Sequence, residues 1–186
     1  MIILASTSPR RIEILKEIVS DFTTLSPLCD EREIDDDDCS LLCLKEAHLK
    51  AKSIASTASD SFIIASDTMV SFQNEKLGKP EDEKSAFSML KQLQGNTHQV
   101  YTAYVIYHGL TLLKERIVEA DVFIEKMSDE EINKYIETKS PLDKAGAYGI
   151  QDKDYIHAKI LKGDIYTVMG LPKEDLEHDL KELKII

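Results

Sequence analysis

In the stretch Ser6-Thr7-Ser8-Pro9-Arg10-Arg11, three hydroxyls, a proline and two guanidinium groups stand together. Pro9 suits the first position of a helix, with Ser8 as its cap. Backbone N–H groups at a helix start attract anions. Basic residues in a first turn oppose the helix dipole, so Arg10 and Arg11 sit where they weaken the helix unless they are used. Bidentate recognition of phosphate is the obvious use, with ion pairing to a distant Asp or Glu as the plainer alternative.

Three further groupings could do chemistry. Ser66-Asp67-Thr68 closes a buried apolar run, and a carboxylate there can hold a metal or deprotonate a water. A strand-ending aspartate that caps a turn is an equally good reading. Gly78-Lys79-Pro80 presents a lysine on a fixed turn, which is either a point charge for a ligand or a solvated turn residue. Lys144-Ala145-Gly146-Ala147-Tyr148-Gly149-Ile150-Gln151 keeps backbone close to a neighbour. Gln151 offers the donor and acceptor that suit a base edge, although close helix–sheet packing would produce the same small residues. Asp30 and Glu31 add carboxylates of the kind that bind Mg²⁺ or Mn²⁺. The run Asp35 to Asp38 is expected to be a solvated loop, and His98, with no second His or Cys at ligand spacing, to be structural.

These residues need a scaffold. Ile2 to Ala5 predicts a buried strand, followed by a helix from Pro9 with Ile12, Leu15 and Val19 on one side. A weaker strand is expected over Thr23–Leu28, then a helix over about Leu41–Ala58 with Leu44, Ala47, Ala51 and Ile54 on one face. Phe62–Ala65 reads as a strand ending at Ser66. Met69–Phe72 and Glu75–Leu77 form a hairpin around Gln73-Asn74. A helix spans about Asp82–Leu93 and is stopped by Gly95. Val100–Tyr107 and Leu112–Ile124 predict antiparallel strands turning at His108-Gly109. Ser128 and Glu131 form a capping box for a helix to about Thr138. Ile156–Leu161 and Tyr166–Met169 read as strands, and a last helix covers about Lys173–Leu183. Alternating strands and helices followed by hairpins predict a mixed sheet flanked by helices.

The 186-residue length suits one domain or two small lobes sharing a core, with no composition break that forces two units. A net charge of -11 argues against a general nucleic-acid binder but leaves room for a small anionic substrate met by a local cluster of cations. Cys29, Cys39 and Cys43 match no zinc or redox spacing and read as free thiols of a reducing cytoplasm. The apolar N-terminus is too short for a signal peptide, and no stretch reaches the roughly 20 apolar residues of a membrane span. No Walker A motif and no nucleophile elbow occur.

Taken in order, these stretches resemble the Maf (septum formation inhibitor) family. They are Leu4-Ala5-Ser6-Thr7-Ser8-Pro9-Arg10-Arg11, Ser66-Asp67-Thr68-Met69-Val70, Leu77-Gly78-Lys79-Pro80, Leu93-Gln94-Gly95 with His98, Val100 and Thr102, Lys144 to Gln151, and Val168-Met169-Gly170-Leu171-Pro172. The resemblance implies a single Maf/ITPase-like α/β domain over residues 1–186, an elongated mixed sheet with a deep cleft between two lobes. It implies a nucleoside triphosphate pyrophosphatase that depends on a divalent metal cation, Mg²⁺ or Mn²⁺. Asp67 would be the catalytic base. Ser6, Ser8, Arg10, Arg11, Lys50 and Lys79 would bind phosphate, and Glu31 would join Asp67 at the metal.

Arg10, Thr68 and Gln151 separate subfamilies and look like the dTTP and UTP type. One departure is Asp152, where the family usually has glycine; if that position needs positive φ, Asp suits it less well. The resemblance also implies a homodimer, for which the chain shows no interface signature. Two alternatives stand beside this reading. One is a housekeeping pyrophosphatase for modified or non-standard nucleotides. The other is a nucleotide-sensing regulator of cell division that does not hydrolyse.

Overall fold

The computed structural model describes residues 1–30 and 34–186. Seven strands form one mixed sheet: β1 (Ile2–Leu4), β2 (Thr23–Thr24), β3 (Phe62–Phe72), β4 (Glu75–Leu77), β5 (Thr97–His108), β6 (Thr111–Ile124) and β7 (Ala158–Lys162). The order is β2-β1-β3-β5-β6-β7, with β4 also on β3. β1 runs parallel to both β2 and β3, and the remaining pairs are antiparallel. The helices are α1 (Pro9–Lys16), α2 (Cys39–Ala55), α3 (Glu83–Leu93), α4 (Asp129–Glu137), α5 (Ile165–Met169) and α6 (Lys173–Glu182). This is the expected mixed α/β architecture.

The sheet forks at β3. β1 pairs with Phe62–Ile64 and β4 with Val70–Phe72, both on the edge opposite β5. Residues 65–69 lie between the two partners. The chain leaving β1 and the chain leaving β4 therefore turn away from the sheet on either side of the same short stretch.

Three apolar clusters build around this fork. α2 packs Ala47, Ala51 and Ile54 against Ile63, Ala65, Met69 and Val105 on one face. α1 and α6 cover the other face, with Leu15, Leu176 and Leu180 against Leu4, Ile64 and Ile106. α3 and α4 close the far lobe around Val70, Val100, Val122 and Ile124. A part-buried ion pair ties α6 to the sheet: Arg116 Nη2 donates to Asp179 Oδ1 at 2.6 Å, and the Tyr104 hydroxyl donates to Asp179 Oδ2 at 2.5 Å.

Local signals explain most element ends. Asp38 caps α2 by accepting from the backbone of Ser40 and Leu41, while Asp36 pairs with Lys45 and Asp35 with Lys76. The acidic run is thus peripheral to the chemistry but holds the start of α2. The expected capping box of Ser128 with Glu131 forms, and the structure adds a second, Asp82 with Ser85.

Three expectations need correction. The strand predicted over Thr23–Leu28 shrinks to Thr23–Thr24. Phe62–Phe72 is one continuous strand, so Asp67 stands in its middle rather than at its end. Tyr166–Met169 is helical, because Asp164 caps it by accepting from the Thr167 backbone and Gly170 closes it at φ 105°. Among the described residues no helix is long and apolar enough to cross a membrane.

His98 is fully buried and bonded to the Tyr148 hydroxyl at 2.7 Å through Nε2. Its Nδ1 has no partner among the described residues, and burial lowers its pKa to about 4 from an ordinary 6.5. The folded protein therefore holds a neutral imidazole where the unfolded chain takes up a proton. This contribution is whole above pH 6.5, falls as pH drops toward 4, and amounts to about 3 kcal/mol when fully lost. Denaturant melts should show that loss over this window. His98→Phe should flatten it; a slope unchanged in that variant would count against His98 as its source.

Candidate active site

The turn from β1 into α1 forms the near wall of the site. The Ser8 amide donates to Ser6 Oγ at 3.1 Å, folding the turn onto itself. Ser8 is the N-cap residue, but its hydroxyl makes no capping bond, contrary to expectation. Ser6 holds the turn instead, through its bond with the Ser8 amide. Arg10 Nη1 lies 3.5 Å from Asp143 Oδ2 across the cleft. Arg11 is committed differently: Nε donates to the Gly170 carbonyl at 2.8 Å and Nη2 to Thr68 Oγ1 at 3.0 Å. It braces β3 against the end of α5 while placing its charge near Asp67. A Cβ on Gly170 would lie 3.0 Å from Thr68 Oγ1 and 3.2 Å from Arg11 Nε, at a φ that favours glycine.

The floor is the open stretch of β3. Alternation along the strand puts Asp67 on the same face as Ile63, Ala65 and Met69, toward α2. There it meets Lys50, whose ammonium pairs with Asp67 Oδ1. One turn earlier on α2 stands Glu46, itself buried, with its carboxyl within hydrogen-bonding reach of the Asp67 carboxyl. Asp67 Oδ2 is buried and has no hydrogen-bond partner among the described residues. Burial pushes the Asp67 pKa up, but the charges of Lys50 and Arg11 outweigh it and hold the carboxyl below its ordinary value. Beneath Asp67, the Cys43 thiol donates to the Asp67 carbonyl at 3.1 Å, and burial raises its pKa well above the ordinary range. It stays protonated and inert.

The far wall comes from the β4 exit and from residues 143–151. Lys79 sits exposed on its turn and forms no ion pair among the described residues. Lys144 is buried, with Nζ bonded to the Ser140 carbonyl at 2.5 Å and to Asp143 Oδ1 at 2.7 Å. Gln151 is exposed at the rim, and a Cβ on Gly149 would lie 2.5 Å from its Nε2, so only glycine lets that amide lie against the backbone.

Asp152 anchors this wall. Its Oδ2 accepts from the Tyr135 hydroxyl at 2.6 Å and the Ser140 hydroxyl at 2.7 Å, and the Gly149 amide donates to the same Tyr135 oxygen at 2.9 Å. Asp152 is absent from the residues with positive φ, so the feared strain does not arise. Asp152→Ala should remove about 1–3 kcal/mol of stability by leaving the largely buried Tyr135 hydroxyl without its acceptor. A urea midpoint within experimental error of the parent would refute this anchoring role.

The cleft so formed has a volume of about 400 Å³. Ser6, Ser8, Arg10, Arg11, Lys50, Asp67, Thr68, Lys79 and Gln151 all line it, though they are scattered along the chain. Glu31 lies outside the described residues. Lys144, within a stretch that the sequence marks out but to which it assigns no role of its own, also lines the cleft, as does Glu46, which escaped the reading of the sequence. Glu46 had a usable signal: it precedes Lys50 by four residues, on the stripe of α2 that carries Cys43, Ala47 and Ala51. A charge there faces the fold, not water.

A family model described as "Maf-like protein" matches residues 1–183. The chain is 37% identical to a dTTP/UTP pyrophosphatase of Agathobacter rectalis, covering 99% of this chain and 98% of that protein. It is 41% identical to a dTTP/UTP pyrophosphatase of Clostridium novyi, over 92% and 91% of the two chains. A similarly named protein of Lacticaseibacillus casei is also 41% identical, over 92% and 93%. Among solved structures, a HAM1 protein from Coxiella burnetii shares the fold with a TM-score of 0.50 at 14% identity, over 97% and 98% of the two chains.

Proposed function

Because this chain belongs to the Maf-like protein family, we propose that it hydrolyses dTTP and UTP to the monophosphate and pyrophosphate. The observation that carries the reading is the convergence of Arg10, Arg11, Lys50, Lys79 and Lys144 on one cleft around Asp67, in a chain of net charge -11. Cations gathered against the overall charge fit a polyanionic substrate. We read residues 1–186 as one functional unit, cytoplasmic, dimeric by family implication, and acting on free nucleotides.

The triphosphate lies along the Ser6–Arg11 turn, where hydroxyls, the start of α1 and Arg10 receive its oxygens. Lys79 and Lys144 meet it from the far wall. Lys50 keeps Asp67 ionised. Asp67 accepts a proton from the water that attacks the α-phosphorus, and pyrophosphate leaves as charge builds on oxygens facing the lysines. Asp67 Oδ2, buried and without a hydrogen-bond partner among the described residues, fits a divalent cation. When bound by Asp67 and Glu31, Mg²⁺ or Mn²⁺ would neutralise phosphate charge. Gln151 reads the base edge, and Thr68, held by Arg11, shapes the pocket.

The test is a panel of dTTP, UTP, modified pyrimidine triphosphates, 7-methyl-GTP and ITP, with and without added metal, scored by pyrophosphate release. The expected result is one pyrophosphate per monophosphate, fastest for dTTP and UTP. Faster release from the modified nucleotides would move the function to nucleotide housekeeping. Tight binding with no pyrophosphate would make the protein a sensor.

A further inference from the structure

Glu46 has no part in the mechanism above, yet its position is unusual. It is a carboxyl buried on the inner stripe of α2, where the neighbouring positions carry Cys43, Ala47 and Lys50. It lines the cleft and stands beside Asp67. Two carboxyls brought together away from water need a positive charge or a shared proton between them. Lys50 supplies part of that charge at Asp67 Oδ1. Asp67 Oδ2, on a side chain more than nine-tenths buried, has no hydrogen-bond partner among the described residues. Oxygen donors of this kind, beside a triphosphate site, match the preference of a small hard dication.

We propose that Glu46 is a carboxylate ligand of the divalent cation, acting with Asp67 Oδ2. The proposal rests on the pyrophosphatase reading, because it takes the cation to be the one that accompanies the nucleotide. It adds a ligand supplied by α2, in register with Lys50. The same helix turn then presents a cation to Asp67 and a carboxylate to the metal. Metal affinity becomes a property of how α2 docks on β3.

The experiment uses Mn²⁺ alone, titrated into the full-length protein and read by the paramagnetic resonance signal of the free ion. Wild type is compared with Glu46→Gln, Glu46→Leu and Asp67→Asn. The leucine variant covers the case in which a buried amide unfolds α2. Either Glu46 variant should weaken Mn²⁺ binding roughly 10- to 100-fold. Affinity for a non-hydrolysable dTTP analogue, measured in EDTA, should be unchanged or higher, because a negative charge has left the cleft. A purely structural role would lower both affinities together and would overturn the proposal. Mn²⁺ affinity within twofold of wild type in a folded Glu46 variant would overturn it as well. Failure here is separable from failure of the pyrophosphatase reading. If wild type hydrolyses dTTP but Glu46→Gln keeps its Mn²⁺ affinity, only the ligand assignment falls. If wild type hydrolyses nothing, the Mn²⁺ comparison still reads Glu46 directly.

Discussion

Asp67→Asn should lower the turnover of dTTP by about 10²- to 10⁴-fold, the usual range for loss of a positioned base. That corresponds to about 3–5 kcal/mol of barrier. Asparagine keeps the shape of the side chain and can still accept a hydrogen bond from Lys50, so the fold should survive. It cannot take a proton from water at neutral pH. Steady-state kinetics with pyrophosphate detection provide the measurement. The loss should fall mainly on kcat, because Arg10, Lys79 and Lys144, the proposed phosphate contacts, are untouched. Wild-type turnover by the Asn protein would remove Asp67 from the chemistry.

The second large effect concerns stability. Lys50→Met should destabilise the protein by about 3 kcal/mol, at the low end of what removing one partner from a buried ion pair does. Lys50 and Asp67 are both buried and bonded, and methionine fills the space of the lysine stem but supplies no charge. Two carboxyls, Asp67 and Glu46, would then stand side by side without the lysine charge that lowers the Asp67 pKa. The melting temperature should drop by roughly 6–12 °C at two to four degrees per kcal/mol. Adding Asp67→Asn to Lys50→Met should recover part of the loss, since the uncompensated charge has gone. Calorimetry of the two single variants and the double variant reads this directly. Strict additivity would mean that the pair contributes little to stability.

Much of this site was readable from the chain before folding was considered. Ser6 to Arg11, Gly78 to Pro80 and Lys144 to Gln151 lie at turns, where glycine, proline and hydroxyl residues mark the backbone geometry and charged residues stand out against it. Those signals are local, so they survive in one dimension. What failed depended on contacts across the chain. The apolar run through Ala65 stops at Ser66, but the strand continues because Ser66 Oγ is satisfied inside the fold by the carbonyls of Ala103 and Gly170. Tyr166–Met169 carries β-branched and aromatic residues in a span too short to show a helical period. Its state was set by Asp164 and Gly170 at its ends. Glu46 reads as one more charge on a helix until α2 is laid on β3. Asp152 reads as a misplaced residue until Tyr135 and Ser140 arrive from two other segments.

The fork in the sheet divides the labour of the molecule. Asp67, the proposed proton acceptor, is mounted on the central strand, paired with β5 from Phe62 to Ser71, whereas Arg10, Lys79 and Gln151, proposed to meet the nucleotide, hang from turns. Drift in those turns can retune which base or sugar is admitted without disturbing the bond-breaking machinery. On this reading selectivity can be altered at the rim, while the cohesion of the sheet holds the reacting carboxyl in place.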